Sequence, residues 1–274
     1  MRGLLTFYEA DSYLHRRNPS IKLLAVALPI GALTMAFDPY TPLAFWALGL
    51  AALVSLGRVP LRRVVRPLGV FLLLGAVGFV GSNAFFHRPA PGAQVTVLWQ
   101  AGGLRVTAEG LCVGVSLALR MMAIVTYSML YVATTDPTAM VLSLIQNARF
   151  PYRLGYGVLV AYRFLPMWRT ELDIIRAAHR IRGVGERATW RGKWEQLRRY
   201  AVPLLAGAIR KAERVSIAMD SKAFGARPDR GYYRRQTVTR ADWLMLAVVA
   251  VMTLAIPLVL TRLGVLIGFG IVPE

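Results

Sequence analysis

The chain has 274 residues, of which 56% are hydrophobic and only 17% are charged, although its formal net charge is +19. A soluble domain usually carries about 25% charged residues, so this composition predicts an integral membrane protein and argues against a soluble nucleic-acid-binding domain. The single cysteine, Cys112, excludes a disulfide framework and a cysteine-ligated metal site. The first residues lack the apolar run and cleavage site of a signal peptide, so we expect the first apolar segment to be retained.

Five apolar segments are predicted to cross a membrane, since about 17 to 25 apolar residues span its hydrocarbon core. The first two are short, and Lys22 in the first can extend toward the membrane surface. Before the fourth, residues 94–106 fit a small β-hairpin and a plain loop equally well. The segments cover Ile21–Phe37, Thr41–Leu56, Leu68–Phe86, Leu111–Thr134 and Trp243–Leu260, with an apolar tail that continues to Val272.

Basic residues are concentrated in alternate connections, which predicts the orientation of the chain. Residues 135–240 alone contain 21 Lys/Arg against 8 Asp/Glu, whereas the connection at Asp38 has no basic residue. We therefore expect a multi-pass protein of the cell membrane, with its N-terminus and its basic region in the cytoplasm and its C-terminus outside. The other inward-facing basic residues are Arg2, Arg16, Arg17, Arg58, Arg62, Arg63 and Arg66, the last four in the loop after the second span.

The basic region is predicted to form helices that lie outside the membrane. The predicted fold is therefore an all-α membrane protein, with about five transmembrane helices and a cytoplasmic arm of long amphipathic helices. We divide the chain into transmembrane helices 1–4 (residues 1–134), a cytoplasmic domain of long amphipathic helices (135–240) and a C-terminal transmembrane helix (241–274). Within the middle domain, a short helix from Pro137 to Ala148 precedes two long ones, residues 154–182 and 189–223, whose apolar residues recur at spacings of three and four. One interpretation is an ordinary bundle with solvated arginines or arginines that lie against anionic lipid.

Both long helices end in a cation followed by a small residue. These ends are Ile181-Arg182-Gly183 and Ser221-Lys222-Ala223, and their cations lie 40 positions apart. Gly183 is well placed as the C-terminal cap of the first long helix. A helix dipole favours a cation at the C-terminus by about 0.3–1 kcal/mol, so each end alone is weak evidence. Two such ends suit insertion into acidic grooves on two copies of a partner, which shifts the balance away from the ordinary bundle.

Arg120 lies near the middle of the fourth predicted span. A charge at the bilayer centre costs about 2.5–3.5 kcal/mol on insertion scales, which makes it a functional candidate. The alternatives are an arginine that hydrogen-bonds backbone carbonyls for packing, or one that reaches cytoplasmic water.

Motifs along nearly the whole chain resemble those of the EcfT/CbiQ family, the transmembrane coupling subunits of energy-coupling factor (ECF) ABC transporters. Residues 11–23, Asp-Ser-Tyr-Leu-His-Arg-Arg-Asn-Pro-Ser-Ile-Lys-Leu, are similar to the family's segment before the first span. Residues 109–135 resemble its fourth span, and Arg163-Phe164-Leu165-Pro166 resembles an Arg-Phe-x-Pro segment. The family's two coupling helices end in Ala-Arg-Gly motifs, which fall on Ile181–Gly183 and, with Lys222 and Ala223 in place of Arg and Gly, on residues 218–225.

The resemblance implies a subunit without chemistry of its own, which couples two cytoplasmic ATPases to a membrane substrate-capture (S) subunit for uptake of a vitamin or a metal ion. ATP and magnesium would be bound by the partner ATPases, and this chain would hold neither a metal nor another cofactor. Lys222 keeps the charge of the family's arginine but loses its bidentate fork. Alternatives are a basic membrane-anchored scaffold for anionic lipid or nucleic acid, and a membrane-embedded lipid-modifying enzyme, which would need acidic or histidine clusters.

Overall fold

A computed structural model describes residues 8, 10–36, 38–86, 96–101, 104–183, 189–226 and 231–263. Most of these residues lie in helices, which confirms the predicted all-α class. The helices are α1 Pro19–Thr34, α2 Tyr40–Ser55, α3 Leu61–Gly75, α4 Gly81–Phe86, α5 Ala108–Thr134, α6 Pro137–Asn147, α7 Tyr152–Ile181, α8 Trp190–Ser221 and α9 Arg240–Arg262. Strands β1, Val97–Ala101, and β2, Leu104–Thr107, pair antiparallel, so the hairpin and not the plain loop precedes α5.

Three of the described helical segments are long and apolar enough to cross a membrane: Val64–Ala84, Ala108–Thr134 and Arg240–Arg262. The apolar helices α1 and α2 have 16 residues each. A helix of that length extends about 24 Å, which is less than the roughly 30 Å of a typical hydrocarbon core. The five predicted segments are therefore all helical, and the first two are short, as expected. The predicted extension of the last one toward Val272 lies outside the described residues.

The third predicted span begins earlier than the sequence indicated. Helix α3 starts at Leu61, and it continues through a π-helical turn, Ala76–Val80, into α4. Arg62, Arg63 and Arg66 therefore lie within the helix and not in the loop that was predicted to follow the second span. Arginine is a good helix former, so the helix extends beyond its apolar part.

The chain folds as two compact units. The first comprises Met1–Ser143 and Gln236–Glu274, and the second comprises Leu144–Arg235. Helix α6 contains the point at which the chain passes from the first unit to the second. The three-part division made from the sequence, at 134/135 and 240/241, stays a prediction.

Helix α5 is the centre of the first unit and contacts α1, α2, α3 and α4. Its buried Met122 and Ala123 belong to one apolar cluster with Leu33 of α1 and Phe45 of α2. Gly114 allows a close approach of backbones, because a Cβ atom there would lie 2.7 Å from the Val80 Cα in the π-helical turn. Small residues permit this kind of contact between helices.

Within the second unit, α7 and α8 pack antiparallel along much of their length. Contacts near both ends and the middle establish the direction: Tyr156 with Phe224 (5.6 Å between ring centroids), Glu171 Oε2 with Lys211 Nζ (2.8 Å) and His179 with Tyr200 (5.5 Å between ring centroids). The end of α8 therefore lies beside the start of α7, whereas the end of α7 lies beside Tyr200, within α8. The predicted bounds of both helices agree with the structure to within two residues.

Candidate functional site

The end of α7 has the geometry that the sequence predicted for Gly183. Arg182 is the C-terminal cap residue, and its backbone N–H donates to the Ala178 carbonyl at 3.3 Å. Gly183 follows with a φ of 73°, and its N–H donates to the Arg180 carbonyl at 3.1 Å. A left-handed residue directly after the cap is a common way to end a helix, and glycine adopts this conformation without a steric penalty.

Helix α8 ends in the same way, although alanine takes the place of glycine. Lys222 is the C-terminal cap residue, and Ala223 follows with a φ of 56°. The Ala223 N–H donates to the Asp220 carbonyl at 2.9 Å, and the Phe224 N–H donates to the Met219 carbonyl at 3.0 Å. These two bonds define a Schellman motif. At the end of α8, alanine therefore adopts the left-handed conformation that glycine normally supplies.

The two cations thus occupy equivalent positions on two helices. Because α7 and α8 are antiparallel and Phe224 packs on Tyr156 near the start of α7, the Lys222 end lies far from Arg182. The 26 residues from Tyr156 to Arg182 correspond to about 39 Å of helix. The structure does not bring the two predicted tripeptides together; it places them at opposite ends of a helical hairpin.

Both ends are accessible. All six predicted residues, Ile181, Arg182, Gly183, Ser221, Lys222 and Ala223, are exposed, and the Ile181 side chain is 88% exposed. At that exposure, little of Ile181 is covered by the part of the chain that the structure describes. Each end thus presents a cation next to side chains that can enter a partner's groove.

The hairpin also presents apolar surface along its length. The apolar residues that recur along α7 at spacings of three and four form a stripe, and its Leu154, Val158 and Leu165 are each at least half exposed. A groove of about 770 Å³ runs between α7 and α8, and Phe164 and Val215 are among its lining residues. Large exposed apolar patches on a protein are typical of interaction sites.

Arg120 contacts the connection between α1 and α2. Its Nη2 donates to the Ala36 carbonyl, and Ser116, one turn earlier on α5, donates to the Asp38 carbonyl at 2.8 Å. Of the interpretations left open by the sequence, this geometry favours an arginine that binds a backbone carbonyl and holds a connection in place.

The segment before α1 is tied to the end of α5. The His15 ring bonds Ser12 Oγ through Nδ1 and the Tyr8 carbonyl through Nε2, both at 2.7 Å. The Tyr8 N–H donates to the Ala133 carbonyl at 3.0 Å, and Lys22, in α1 and 2% exposed, donates through Nζ to the Thr134 carbonyl at 2.9 Å. The sequence showed this motif by resemblance and assigned a role only to Lys22, which was expected to extend toward the membrane surface; in the structure its side chain is buried instead. Sequence reasoning also missed Asp242, a buried carboxylate at the start of α9, although Thr239 and Asp242 have the spacing of a capping box.

A family profile described as CbiQ, cobalt transport protein, matches residues 10–233. The chain belongs to the CbiQ family. As a member, it is a transmembrane transport subunit and has no catalytic role. The predicted family and its non-catalytic character are confirmed.

The relatives of this CbiQ-family chain match it along most of its length. It is 28% identical over 259 residues to the energy-coupling factor transporter transmembrane protein EcfT of Limosilactobacillus fermentum, a match covering 90% of this chain and 93% of that one. It is 24% identical over 246 residues to the EcfT protein of Bacillus subtilis, with 86% and 89% covered. These matches confirm the predicted role as the transmembrane component of an energy-coupling factor transporter.

A third relative is longer. It is an ABC transporter ATP-binding protein of Bifidobacterium longum, 28% identical over 259 residues, and the match covers 90% of this chain but 32% of that protein.

Proposed function

We propose that this chain is the coupling subunit of an ECF-type ABC importer. It transmits the ATP-driven movement of two cytoplasmic ATP-binding-cassette ATPases to a membrane S subunit, which captures a vitamin or a transition-metal ion. One observation carries the proposal: two helices of one hairpin end in the same cap geometry, each with an exposed cation, about 39 Å apart along α7. Equivalent ends at opposite extremes of a hairpin suit two copies of one partner.

Each helix end offers the chemistry that an acidic groove would bind. Arg182 supplies a planar fork of donors that can pair with a carboxylate through two bonds, whereas Lys222 supplies a point charge. We therefore expect the two contacts to differ in strength, with Arg182 the stronger. The Bifidobacterium longum relative, which carries this chain's sequence type within a protein named for ATP binding, supports an ATP-binding partner. ATP and magnesium are bound by those partners.

The exposed apolar stripe and the groove between α7 and α8 suit contact with the S subunit. The charged helix ends suit charged partner surfaces. The apolar stripe suits an apolar partner surface, because the hydrophobic effect favours removing both from water. In this proposal the hairpin and the N-terminus lie on the cytoplasmic side of the cell membrane, as the basic residues predict, and the C-terminus lies outside.

Charge reversal at Arg182 tests the proposal. The tagged chain is purified in mild detergent from membranes of the cells that encode it, and the co-purified ATPases are counted by mass spectrometry. With the wild-type chain, two ABC ATPases are expected for each chain. Arg182→Glu is expected to reduce their recovery by about tenfold or more, since like charges placed opposite one another cost several kcal/mol.

Arg169→Glu is the matched control, because it makes the same charge change at an exposed position in the middle of α7. It is expected to retain the ATPases, and both variants are expected to insert into the membrane. Normal ATPase recovery and normal ATP-driven uptake with Arg182→Glu would contradict the coupling role. Binding of nucleic acid that falls steeply with salt and ignores nucleotide would instead favour the scaffold.

A further inference from the structure

Asn18 lies where the chain leaves the first unit and where it returns. The chain passes into the second unit after Ser143 and comes back at Gln236. The Asn18 side chain bonds at both places: its Oδ1 accepts from Ser143 Oγ at 2.7 Å, and its Nδ2 donates to the Thr237 carbonyl at 3.3 Å. One amide thus joins two segments that are separated by 94 positions in the sequence.

The surrounding groups hold this amide in a single orientation. Asn18 is also the N-cap of α1, since its Oδ1 accepts from the Ser20 N–H at 3.0 Å. The Ser20 hydroxyl lies 2.7 Å from Ser143 Oγ, so α1 contacts Ser143 through two side chains. Asn18 and Ser143 are 5% and 0% exposed. Buried polar groups with satisfied hydrogen bonds rigidify their surroundings, and removing one partner leaves the other buried without a hydrogen bond.

Asp242 ties α9 to the same point. One of its oxygens, Oδ1, accepts from the Asn18 N–H at 3.2 Å, and the other, Oδ2, accepts from the Thr239 N–H at 2.7 Å. The carboxylate therefore lies at the N-termini of both α1 and α9, where helix dipoles favour a negative charge. Arg17 Nη1, 3.7 Å from Oδ1, adds a cation beside it. The starts of both helices and the outgoing chain at Ser143 thus form one bonded cluster.

From this geometry we infer that Asn18 is a positioning residue for coupling: it fastens both ends of the α7–α8 segment to α1, so that movement of that segment reaches the membrane helices. The inference rests on the proposed function, because it needs partners that move α7 and α8. Asn18, which is 5% exposed, is expected to act through α1 without contacting those partners or a transported solute. Its loss should uncouple ATP hydrolysis from uptake without preventing assembly.

Asn18→Ser removes the bonds to Ser143 and Thr237 while it retains an N-cap for α1. Serine is as good an N-cap as asparagine, but it is too short to bond Ser143 and Thr237 together. The complete transporter is purified and reconstituted in proteoliposomes, and uptake and ATP hydrolysis are measured on the same sample. Uptake per ATP hydrolysed is expected to fall roughly five- to tenfold, the factor that corresponds to a buried hydrogen bond, while the ATPases remain bound and active.

Thr107→Ala is the matched control. It removes a buried N-cap bond at the start of α5, Thr107 Oγ1 with the Gly110 N–H at 3.1 Å, which is not part of the Asn18 cluster. It is expected to lower stability and to leave uptake per ATP unchanged. Ser143→Ala cuts the same cluster from the other side, so its effect on the ratio should not add to that of Asn18→Ser. If Asn18→Ser does not assemble, Ser143→Ala alone decides the question.

An unchanged ratio in an assembled Asn18→Ser or Ser143→Ala transporter would overturn the inference, and so would an equal loss in Thr107→Ala. These outcomes differ from failure of the proposed function, in which the wild-type chain itself binds no ATPases or shows no ATP-driven uptake.

Discussion

Ala223 occupies a conformation that favours glycine, so replacing it should strengthen the end of α8. An L-residue in the left-handed region costs about 1–2 kcal/mol relative to the right-handed one. Glycine avoids this cost, but it loses more conformational entropy on folding than alanine, which offsets about 0.5–1 kcal/mol of the gain. The net gain for Ala223→Gly is about 1 kcal/mol, which is about a fivefold change in an equilibrium at 25 °C.

Amide hydrogen exchange measures this change where it occurs. In the purified chain, the N–H groups of Lys222, Ala223 and Phe224 donate to carbonyls of the last turn. Their exchange should slow about fivefold in Ala223→Gly, because local opening becomes rarer. Gly183→Ala should show the opposite effect at the end of α7. Apart from its chain neighbours, no described residue has a heavy atom within 4 Å of a Cβ there, so we expect a conformational penalty.

Ala218→Gly is the control with the same chemical change. Ala218 lies inside α8, where replacing alanine by glycine costs about 0.8–1 kcal/mol, so its protection should fall. Unslowed exchange at the helix end in Ala223→Gly, or equally slowed exchange in Ala218→Gly, would show that Ala223 carries no conformational penalty.

Two further predictions concern Arg120 and the ion pair between α7 and α8. Arg120→Met is expected to destabilise the purified protein by about 1.5–3 kcal/mol in thermal unfolding, the range for a hydrogen bond to a charged group, and to leave uptake per ATP unchanged; lost uptake at full stability would favour a direct transport role instead. The hydrogen bond from Lys211 lowers the pKa of Glu171 from its ordinary value of 4.5, so the pair stabilises the hairpin above that value and stops doing so as pH falls through the lowered pKa. A double-mutant cycle with Glu171→Gln and Lys211→Met should show coupling at neutral pH, and coupling that survives protonation of Glu171 would contradict this assignment.

The helix ends show which features of the fold neighbouring residues can predict. Gly183 after Arg182 predicted a left-handed cap, because only glycine adopts that backbone without penalty. Ala223 gave no such indication, since alanine disfavours the conformation that it has. The hydrogen bonds of the last turn and the packing of Phe224 on Tyr156 accompany that conformation, and the second of these depends on where α7 lies.

The start of the third span shows a limit of composition. Apolar content located the segment near Leu68, because a bilayer core selects for apolar side chains. It could not indicate that Arg62 and Arg66 continue the same helix, since backbone hydrogen bonding extends past the point at which the side chains change character.

The sequence alone determined the membrane class, the five apolar helices, the two amphipathic helices and the two basic helix ends, because each depends on residues close together in the chain. Tertiary structure decided which groups meet. It set α7 antiparallel to α8 and so separated Arg182 from Lys222, it gave Arg120 the Ala36 carbonyl, and it brought Asn18 to Ser143 and Asp242, 125 and 224 positions away. Such partners are chosen by packing between helices, since a buried polar group takes whichever partner the fold brings within reach.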